Sequence, residues 1–252
     1  MRLFGILTVV LLSITDLAWS QVDVPSSKGA SLPMYRPILI GTGPEALINR
    51  IDTQGLTKQG QKDAAIMFSC SVKKDGSVLS VSTYRGTPDS KLLEQEVLKK
   101  LSVAANPKMI PAIYNHMPVD AIYYGTVILT VVNDKPRLRI FSNQEREELA
   151  KESDFIAPQP FWGGDSKFNG FRYPDSQTAP VKVDGSAELQ LKVDEQGNLR
   201  DLKLLSEQPS FLGFGDVAFE DMSKAKFIPA FRTGKPVACE VTLPVYYKAP
   251  GF

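Results

Sequence analysis

The chain has 252 residues, and its 29 Lys and Arg residues nearly balance 28 Asp and Glu residues, which gives a formal net charge of +1. This balance argues against a protein that binds nucleic acid electrostatically, because such a protein carries a basic excess clustered on one face. With 43% hydrophobic residues, the chain can form ordinary hydrophobic cores, and its length exceeds what one small domain usually needs.

The first residues have the pattern of a secretory signal peptide. A basic start is followed by an apolar run over residues 3–14 and by small residues at Ala18 and Ser20, just ahead of Gln21. An uncleaved membrane anchor is the alternative, but the run has about 12 residues and a spanning helix needs about 20. We therefore expect residues 1–20 to be a signal peptide that directs the chain to the periplasm. Residues 21–40, with Pro, Ser and Gly and little periodicity, are expected to be a loose tail.

A first small α+β domain is predicted over residues 41–141. Alternation of apolar and polar residues predicts strands over 65–72 and 78–84, and apolar residues at helical spacing predict a helix over 92–104. A strand over 125–132 then turns into a further strand over 138–141. We expect an antiparallel sheet of about three strands packed on the helix.

Residues 142–165 are predicted to be a linker, because Ala157-Pro158-Gln159-Pro160 and Gly163-Gly164-Asp165 are rich in turn and loop residues. Five aromatic residues lie in this segment or just after it. They have two interpretations, which are packing of the linker onto the second domain and a partner-docking patch of the kind that interfaces favour. These residues are Phe161, Trp162, Phe168, Phe171 and Tyr173.

A second α+β domain is predicted over residues 166–252. Strands over 187–193 and 199–205 flank the turn Glu195-Gln196-Gly197-Asn198, as in a hairpin. A helix between Phe214 and Ala225 follows, and Pro229 ends it because proline lacks the N–H group and crowds the preceding turn. The last predicted strand covers residues 237–247.

The two predicted domains repeat the same motifs in the same order. Ile110-Pro111-Ala112 and Pro118-Val119 recur as Ile228-Pro229-Ala230 and Pro236-Val237, at an offset of 118 residues. Upstream, the segment over 72–78 matches the segment over 193–199 at an offset of 121 residues. Two matches in one order favour an internal duplication, with a three-residue insertion in the first copy near residues 105–107.

The two cysteines fall in separate predicted strands. Cys70 and Cys239 each occupy an apolar position of an alternating run, so each sulfur is expected to face its own core. Thiols in separate cores lie beyond the reach of a disulfide. Two buried free thiols are the favoured interpretation, and a bridge is the alternative that an oxidising compartment allows.

A series of short motifs runs through the second predicted domain. In chain order they are Tyr173-Pro174, Val193-Asp194 with Gly197, Lys226-Phe227-Ile228-Pro229-Ala230, Gly234-Lys235-Pro236-Val237 and Val241-Thr242-Leu243-Pro244-Val245. With this set, residues 168–248 resemble the C-terminal domain of the TonB energy-transducer family. The first domain is a weaker match, since it lacks the Tyr-Pro pair and has His116 where the second has Gly234.

The resemblance implies a function in the periplasm. TonB C-terminal domains engage outer-membrane transporters, and an extended peptide adds to the edge of their sheet. Unpaired N–H and C=O groups of an exposed final strand suit this docking mode. The corresponding candidate edge here comprises Val241, Thr242, Leu243, Pro244, Val245, Tyr246 and Tyr247.

Envelope or outer-membrane proteins, including TonB-dependent transporters, are therefore the expected partners. A structural or oligomerisation module whose sheet edges pair with each other is the alternative. An energy transducer also has a membrane helix that carries a histidine and a long Pro-rich spacer, which this sequence does not show. Coupling to the proton-motive force is therefore not part of the expectation.

Motifs of catalysis are missing from the sequence. His116 is the single histidine, and no Cys, Asp or Glu cluster at metal-ligand spacing surrounds it. The sequence contains neither a Gly-x-Ser-x-Gly nucleophile motif nor a Gly-x-x-x-x-Gly-Lys-Ser/Thr phosphate loop. We expect no enzymatic activity, no cofactor and no metal, and a hydrolase that uses His116 is the least favoured hypothesis.

Overall fold

The computed structural model describes residues 31–142, 154–175 and 181–250. It is an α+β structure with antiparallel strand pairs, which confirms the α+β part of the predicted fold class. The predicted signal peptide and residues 21–30 of the predicted tail lie outside the described residues. Across the described ranges, helices are too short or too polar to cross a membrane.

The elements follow one another in two groups, which we call the first half (residues 32–142) and the second half (residues 154–250). The helices are α1 (Leu47–Arg50), α2 (Thr53–Lys58), α3 (Lys91–Leu101) and α4 (Phe214–Ser223), with a 3₁₀ turn at Val103–Ala105. The strands are β1 (Tyr35–Arg36), β2 (Ala64–Val72), β3 (Val78–Gly86), β4 (Ala112–Tyr114), β5 (Met117–Val132), β6 (Lys135–Phe141), β7 (Gln159–Trp162), β8 (Gly185–Val193), β9 (Leu199–Gln208), β10 (Lys226–Ile228), β11 (Ala230–Arg232), β12 (Lys235–Val237) and β13 (Cys239–Tyr247).

The first half contains an antiparallel sheet in the order β1-β4-β5-β2-β3. Every second residue of β2 is buried, as expected for a strand with one face on a core. Helix α3 covers that core with three buried residues, Leu93, Val97 and Leu101. The long strand β5 pairs with β2 on one side, and on the other side it pairs with β7 at residues 120–121 and with β6 at residues 126–132.

The second half contains a three-stranded sheet in the order β13-β8-β9, with α4 against one face. Apolar residues alternate along β8, and Ala187, Leu189, Leu191 and Val193 are buried under the helix. The short strands β11 and β12 form a hairpin, and β10 leaves the three-stranded sheet to pair with β7. This arrangement leaves β13 and β9 as the two outer strands.

The two halves share one pairing scheme in detail. Strand β2 pairs with β5 from Ala64↔Leu129 onward, and β8 pairs with β13 from the corresponding Gly185↔Tyr247 onward. Both hairpins also carry irregularities at corresponding positions, 121 residues apart, next to Phe68 and Leu189 and again next to Val72 and Val193. Motif similarity therefore extends to strand register, which the sequence match alone does not determine.

A glycine in each hairpin turn shows the same correspondence. Gly76 and Gly197 both have positive φ angles, of 82° and 79°. Their carbonyl oxygens accept hydrogen bonds from the N–H groups of Met109 and Phe227, at 2.9 and 3.0 Å. A Cβ atom at either position would collide with the carbonyl oxygen of that same partner residue. Only glycine permits this approach.

Each of the two hydrophobic cores contains residues from both halves. The core under α3 includes Ile228 and Phe231 of the second half, and the core under α4 includes Ile122 and Tyr124 of the first half. Leu32–Phe252 accordingly forms one compact unit rather than two. This arrangement differs from the expectation, which was two independent domains separated by a linker.

Two segments that were expected to be irregular contain strands. Within the predicted linker, β7 pairs with both β5 and β10 and is buried at Gln159, Pro160 and Phe161. Within the predicted loose tail, β1 pairs with β4, and the following Ile38 is fully buried. Both strands pair with distant parts of the chain, which local composition does not reveal.

Both cysteines are free thiols, as the favoured interpretation expected. Cys70 is buried in the first core, and burial raises the pKa of its thiol. Cys239 is only half-buried at the start of β13, which departs from the expectation that both sulfurs are buried.

Candidate functional site

Strand β13 contains the predicted docking residues and is an outer strand of its sheet. Among the described residues, its ladder partner is β8 alone. The corresponding strand of the first half, β5, has β6 and β7 on the equivalent side. The first half thus has a second partner strand at residues 126–132, whereas among the described residues the equivalent end of β13 has none.

Side-chain burial divides β13 into two parts. Val241, Leu243, Val245 and Tyr247 face the core under α4 and are buried, as alternation predicted. On the opposite face, Thr242 is half-buried and Tyr246 is 38% exposed. Pro244 is buried on that face as well, so this part of the strand is more enclosed than a free sheet surface.

The first half contacts the C-terminal part of β13 directly. The ring of Tyr246 stacks on the ring of Tyr84 of β3, with centroids 5.3 Å apart and planes at 27°. The Tyr246 hydroxyl donates a hydrogen bond of 2.9 Å to the Tyr84 carbonyl oxygen. An ion pair joins Arg85 to Glu188 of β8, which lies opposite Pro244 in the ladder. We call Tyr84, Arg85, Glu188 and Tyr246 the inter-half contact.

Two further tyrosines meet on the core side of the same strand end. Tyr124 of β5 and Tyr247 are both buried in the core under α4. Burial raises the pKa of the Tyr124 phenol, and the neighbouring Tyr247 hydroxyl adds to this rise. The Tyr247 hydroxyl itself has no hydrogen-bond partner among the residues that the structure describes.

A cleft of about 1060 Å³ opens beside the inter-half contact. The ends of β3, β9 and β13 and the start of α3 form its walls. Charges of both signs line it, including the ion pair of Lys248 with Asp184 at 2.7 Å. This mixture does not select an anionic or a cationic ligand, although it leaves room beside Tyr84 and Tyr246.

The five aromatic residues of the second candidate patch lie mainly inside the protein. Phe161 belongs to the core under α3, whereas the other four belong to or pack on the core under α4. Phe161 and Phe168 are fully buried, and Trp162, Phe171 and Tyr173 are half-buried. The arrangement corresponds to the packing interpretation, and two of the five residues are not at the surface for a partner.

Three charged residues, Arg172, Glu220 and Asp221, hold the segment before the Tyr173-Pro174 motif, and the sequence reasoning did not single out Arg172. The Arg172 Nε group donates a hydrogen bond of 2.7 Å to Asp221 of α4, and the Arg172 N–H group donates one of 2.9 Å to the same carboxylate. The Asp221 and Glu220 carboxylates raise the pKa of Arg172 through these hydrogen bonds and ion pairs. Adjacency to the motif was the available signal for Arg172.

His116 lies in the β4–β5 hairpin turn. Its φ angle is 63°, its side chain is exposed, and its Nδ1 atom lies 2.5 Å from the Leu32 carbonyl oxygen. Over the described parts of the chain, three or more His, Cys, Asp or Glu side chains do not gather into a metal-binding group. The position is that of an exposed turn residue.

The fold and the outer strand together define a small α+β domain with a terminal β-strand at its sheet edge. Residues 170–249, which include β8–β13 and α4, match the family described as Gram-negative bacterial TonB protein C-terminal. The second half is thus similar to TonB C-terminal domains, as its motifs predicted. The match does not reach the first half, and no curated protein matches the chain.

Proposed function

We propose that this protein is an exported, TonB-like binding module that docks extended segments of envelope or outer-membrane proteins. The match of residues 170–249 links the second half to a family of envelope transport. The observation that carries the docking mode is the place of β13 as an outer strand of its sheet, while β6 pairs with residues 126–132 of its counterpart β5. A partner strand at β13 gains main-chain hydrogen bonds, and its alternate side chains supply selectivity.

The first half is, in this proposal, a divergent copy of the same domain. Its register and its two hairpin irregularities correspond to those of the second half. Because β6 and β7 cover its β5, it acts as a support and not as a second docking site. TonB-dependent transporters are the proposed partners, and catalysis is not part of the proposal.

Pro244 indicates which groups of β13 point outward. A proline in a strand is tolerated where its missing N–H faces away from the ladder partner. Thr242 and Tyr246 lie two residues before and after Pro244, so their N–H groups point the same way along the strand. These groups are the proposed donors to a partner. Thr242 is the better position for a test, since Tyr246 already contacts Tyr84.

The test compares Thr242→Pro with Thr242→Val in the mature chain. Partners are captured from an envelope fraction, and their extended segments are then measured as synthetic peptides by fluorescence anisotropy. Thr242→Pro should weaken binding about fivefold to tenfold, which corresponds to the loss of one hydrogen bond of about 1 kcal/mol. Thr242→Val keeps the N–H group and should bind within about twofold of the wild type. Equal affinity of a folded Thr242→Pro chain would rule out docking at this strand.

The export part of the proposal has its own measurement. The N-terminal sequence of the protein recovered from the periplasm should begin at or near Gln21. Recovery of the uncut chain from inner membranes would contradict this expectation and would favour a membrane-anchored role.

A structural module remains the second candidate function. The inter-half contact and the burial of Pro244 favour it, because they show that the first half already occupies part of the space around β13. In that case the mature chain binds no envelope peptide at β13. Sedimentation then shows whether the chain instead pairs with itself.

A further inference from the structure

We propose that the inter-half contact controls access to β13, so that the first half restrains docking at the second half until the contact opens. This inference rests on the proposed docking function and adds a regulatory role for Tyr84 and Arg85. It concerns the C-terminal part of β13, from Pro244 to Tyr247. The N-terminal part differs, since Glu240 is exposed and Thr242 is half-buried.

The contact is placed where it interferes with an added strand. The Tyr84 ring stacks on the outward-facing ring of Tyr246, and the Tyr84 carbonyl oxygen accepts a hydrogen bond from the Tyr246 hydroxyl. Arg85 forms an ion pair with Glu188, the residue that pairs with Pro244. A partner strand beside this part of β13 places its own outward side chains next to Tyr246, where the Tyr84 ring now lies.

Each component of the contact is weak enough to open. The Arg85 side chain is 59% exposed, and exposed ion pairs contribute little to stability. A single pair of stacked rings is also a small contribution. The cleft of about 1060 Å³ on the same side provides space into which β3 side chains can move.

The buried end of β13 is also incompletely satisfied. The Tyr247 hydroxyl lies in the core without a hydrogen-bond partner among the described residues. A buried hydroxyl without a partner costs free energy, so this end of the strand is not optimised for permanent closure. The covering of β5 is different, because a seven-residue strand, β6, pairs with it through a complete ladder.

The fold supplies a probe for this idea. Strand β6 covers Thr126–Val132 of β5, and these residues correspond to residues 244–250 of the second half. A synthetic peptide with the sequence of residues 133–142 therefore carries a strand that this fold accepts at the equivalent edge. It is used as the ligand, labelled for fluorescence anisotropy, with the mature full-length chain.

The first measurement needs no ligand. In the double variant Tyr84→Ala/Arg85→Ala, the Tyr246 amide should exchange with solvent at least about tenfold faster than in the wild type, as NMR can record residue by residue. Leu79→Ala is the matched control, because Leu79 lies on the same strand, five residues before Tyr84, and is 51% exposed. It should leave the exchange unchanged. Tyr246→Phe keeps the ring but loses the hydrogen bond of the hydroxyl. Its amide exchange rate at residue 246 should fall between those of the double variant and of Leu79→Ala.

The second measurement is binding of the 133–142 peptide. The double variant should bind it about fivefold to tenfold more tightly than the wild type, and Leu79→Ala should not. Unchanged exchange in the folded double variant would overturn the inference, and so would faster exchange with unchanged peptide affinity. Failure of the proposed function itself is distinguishable. In that case Tyr246→Pro, introduced into the double variant to remove an N–H group inside the segment equivalent to the one that β6 covers, has no effect on binding of the 133–142 peptide, whatever the exchange rates.

Discussion

At the scale of single residues, Asp194 explains why the Val193-Asp194 motif precedes the turn at Gly197. Its carboxylate accepts hydrogen bonds from the N–H groups of Gln196 and Asn198, at 3.0 and 2.8 Å. The Nε group of Arg200 donates to it at 2.7 Å. One side chain thus holds the turn and the start of the returning strand together. The first half has Lys73 at the corresponding position, so its turn is built differently.

The stability contributed by Asp194 should depend on pH. Burial alone would raise its pKa, but hydrogen bonds from Asn198 and Arg200 outweigh burial and hold the pKa below its ordinary value. A lowered folded-state pKa means that this stability is present above the unfolded pKa, near 3.9, and is lost as pH falls through the folded value. Asp194→Asn should therefore cost about 1–3 kcal/mol at neutral pH.

Urea unfolding at several pH values measures this effect. The difference between wild type and Asp194→Asn should narrow as the pH is lowered below about 4, because the wild-type carboxyl then becomes neutral too. Asp201→Asn is the control, since Asp201 is 41% exposed and pairs loosely with Lys203 at 3.6 Å. Asp201→Asn should change the free energy of unfolding by no more than about 0.5 kcal/mol. A difference for Asp194→Asn that is equal at pH 7 and pH 3 would contradict the assignment.

At the scale of elements, the strands with one buried face were predictable. Strand β2 was predicted over 65–72 and is Ala64–Val72, and β8 was predicted over 187–193 and is Gly185–Val193. Alternation gives these strands because their side chains meet the core at every second position. The predicted helix over 92–104 ends earlier, at Leu101, and continues as a 3₁₀ turn.

Strand β7 was not predictable from local sequence. Pro158 and Pro160 are typical of a linker, and the pairing that makes residues 159–162 a strand comes from β5 and β10, which are distant in the chain. The contact of β13 with Tyr84 was missed for the same reason. Its motif predicts an outer strand, but Tyr84 lies more than 160 residues away, as the hydrogen bond from Tyr246 shows.

The role of β7 changes where an autonomous fragment begins. Residues 166–252 were predicted to form the second domain, but they lack β7, the pairing partner of β10, and Ile156, which bridges to Phe231. We predict that residues 154–252 unfold at a higher urea midpoint than residues 166–252, because the longer fragment keeps these hydrogen bonds. Circular dichroism of both fragments measures this. Equal midpoints would show that β7 adds nothing to the second half.

At the scale of the whole molecule, β7 joins the two halves. Phe161 pairs in register with Ala121 of β5 and with Lys226 of β10, and its ring lies 4.4 Å from that of Tyr114. Because the cores also exchange residues, the two halves should unfold together. Trp162 lies in the same strand, so its fluorescence reports on the junction itself.

Replacement of Phe161 by alanine should lower stability by about 3–5 kcal/mol, as expected for truncation of a fully buried aromatic residue. Fluorescence and circular dichroism should still give one coincident urea transition, at a lower midpoint. Phe219→Ala is the matched control, because Phe219 is 40% exposed on α4, and it should cost about 1 kcal/mol or less. Two separate transitions in the wild type would show that the halves are independent.

The hairpin that continues β5 into β6 has a consequence for assembly. Growth through repeated strand addition requires that every unit both offers and receives a strand, so that the next unit finds a fresh template. In the first half, β6 of the same chain already pairs with β5 at this edge. At the equivalent position of the second half, β13 has no such partner among the described residues and can receive a strand. A chain of this design can end an assembly that grows by strand addition, but it cannot extend that assembly through β5. Association through this strand therefore stays finite.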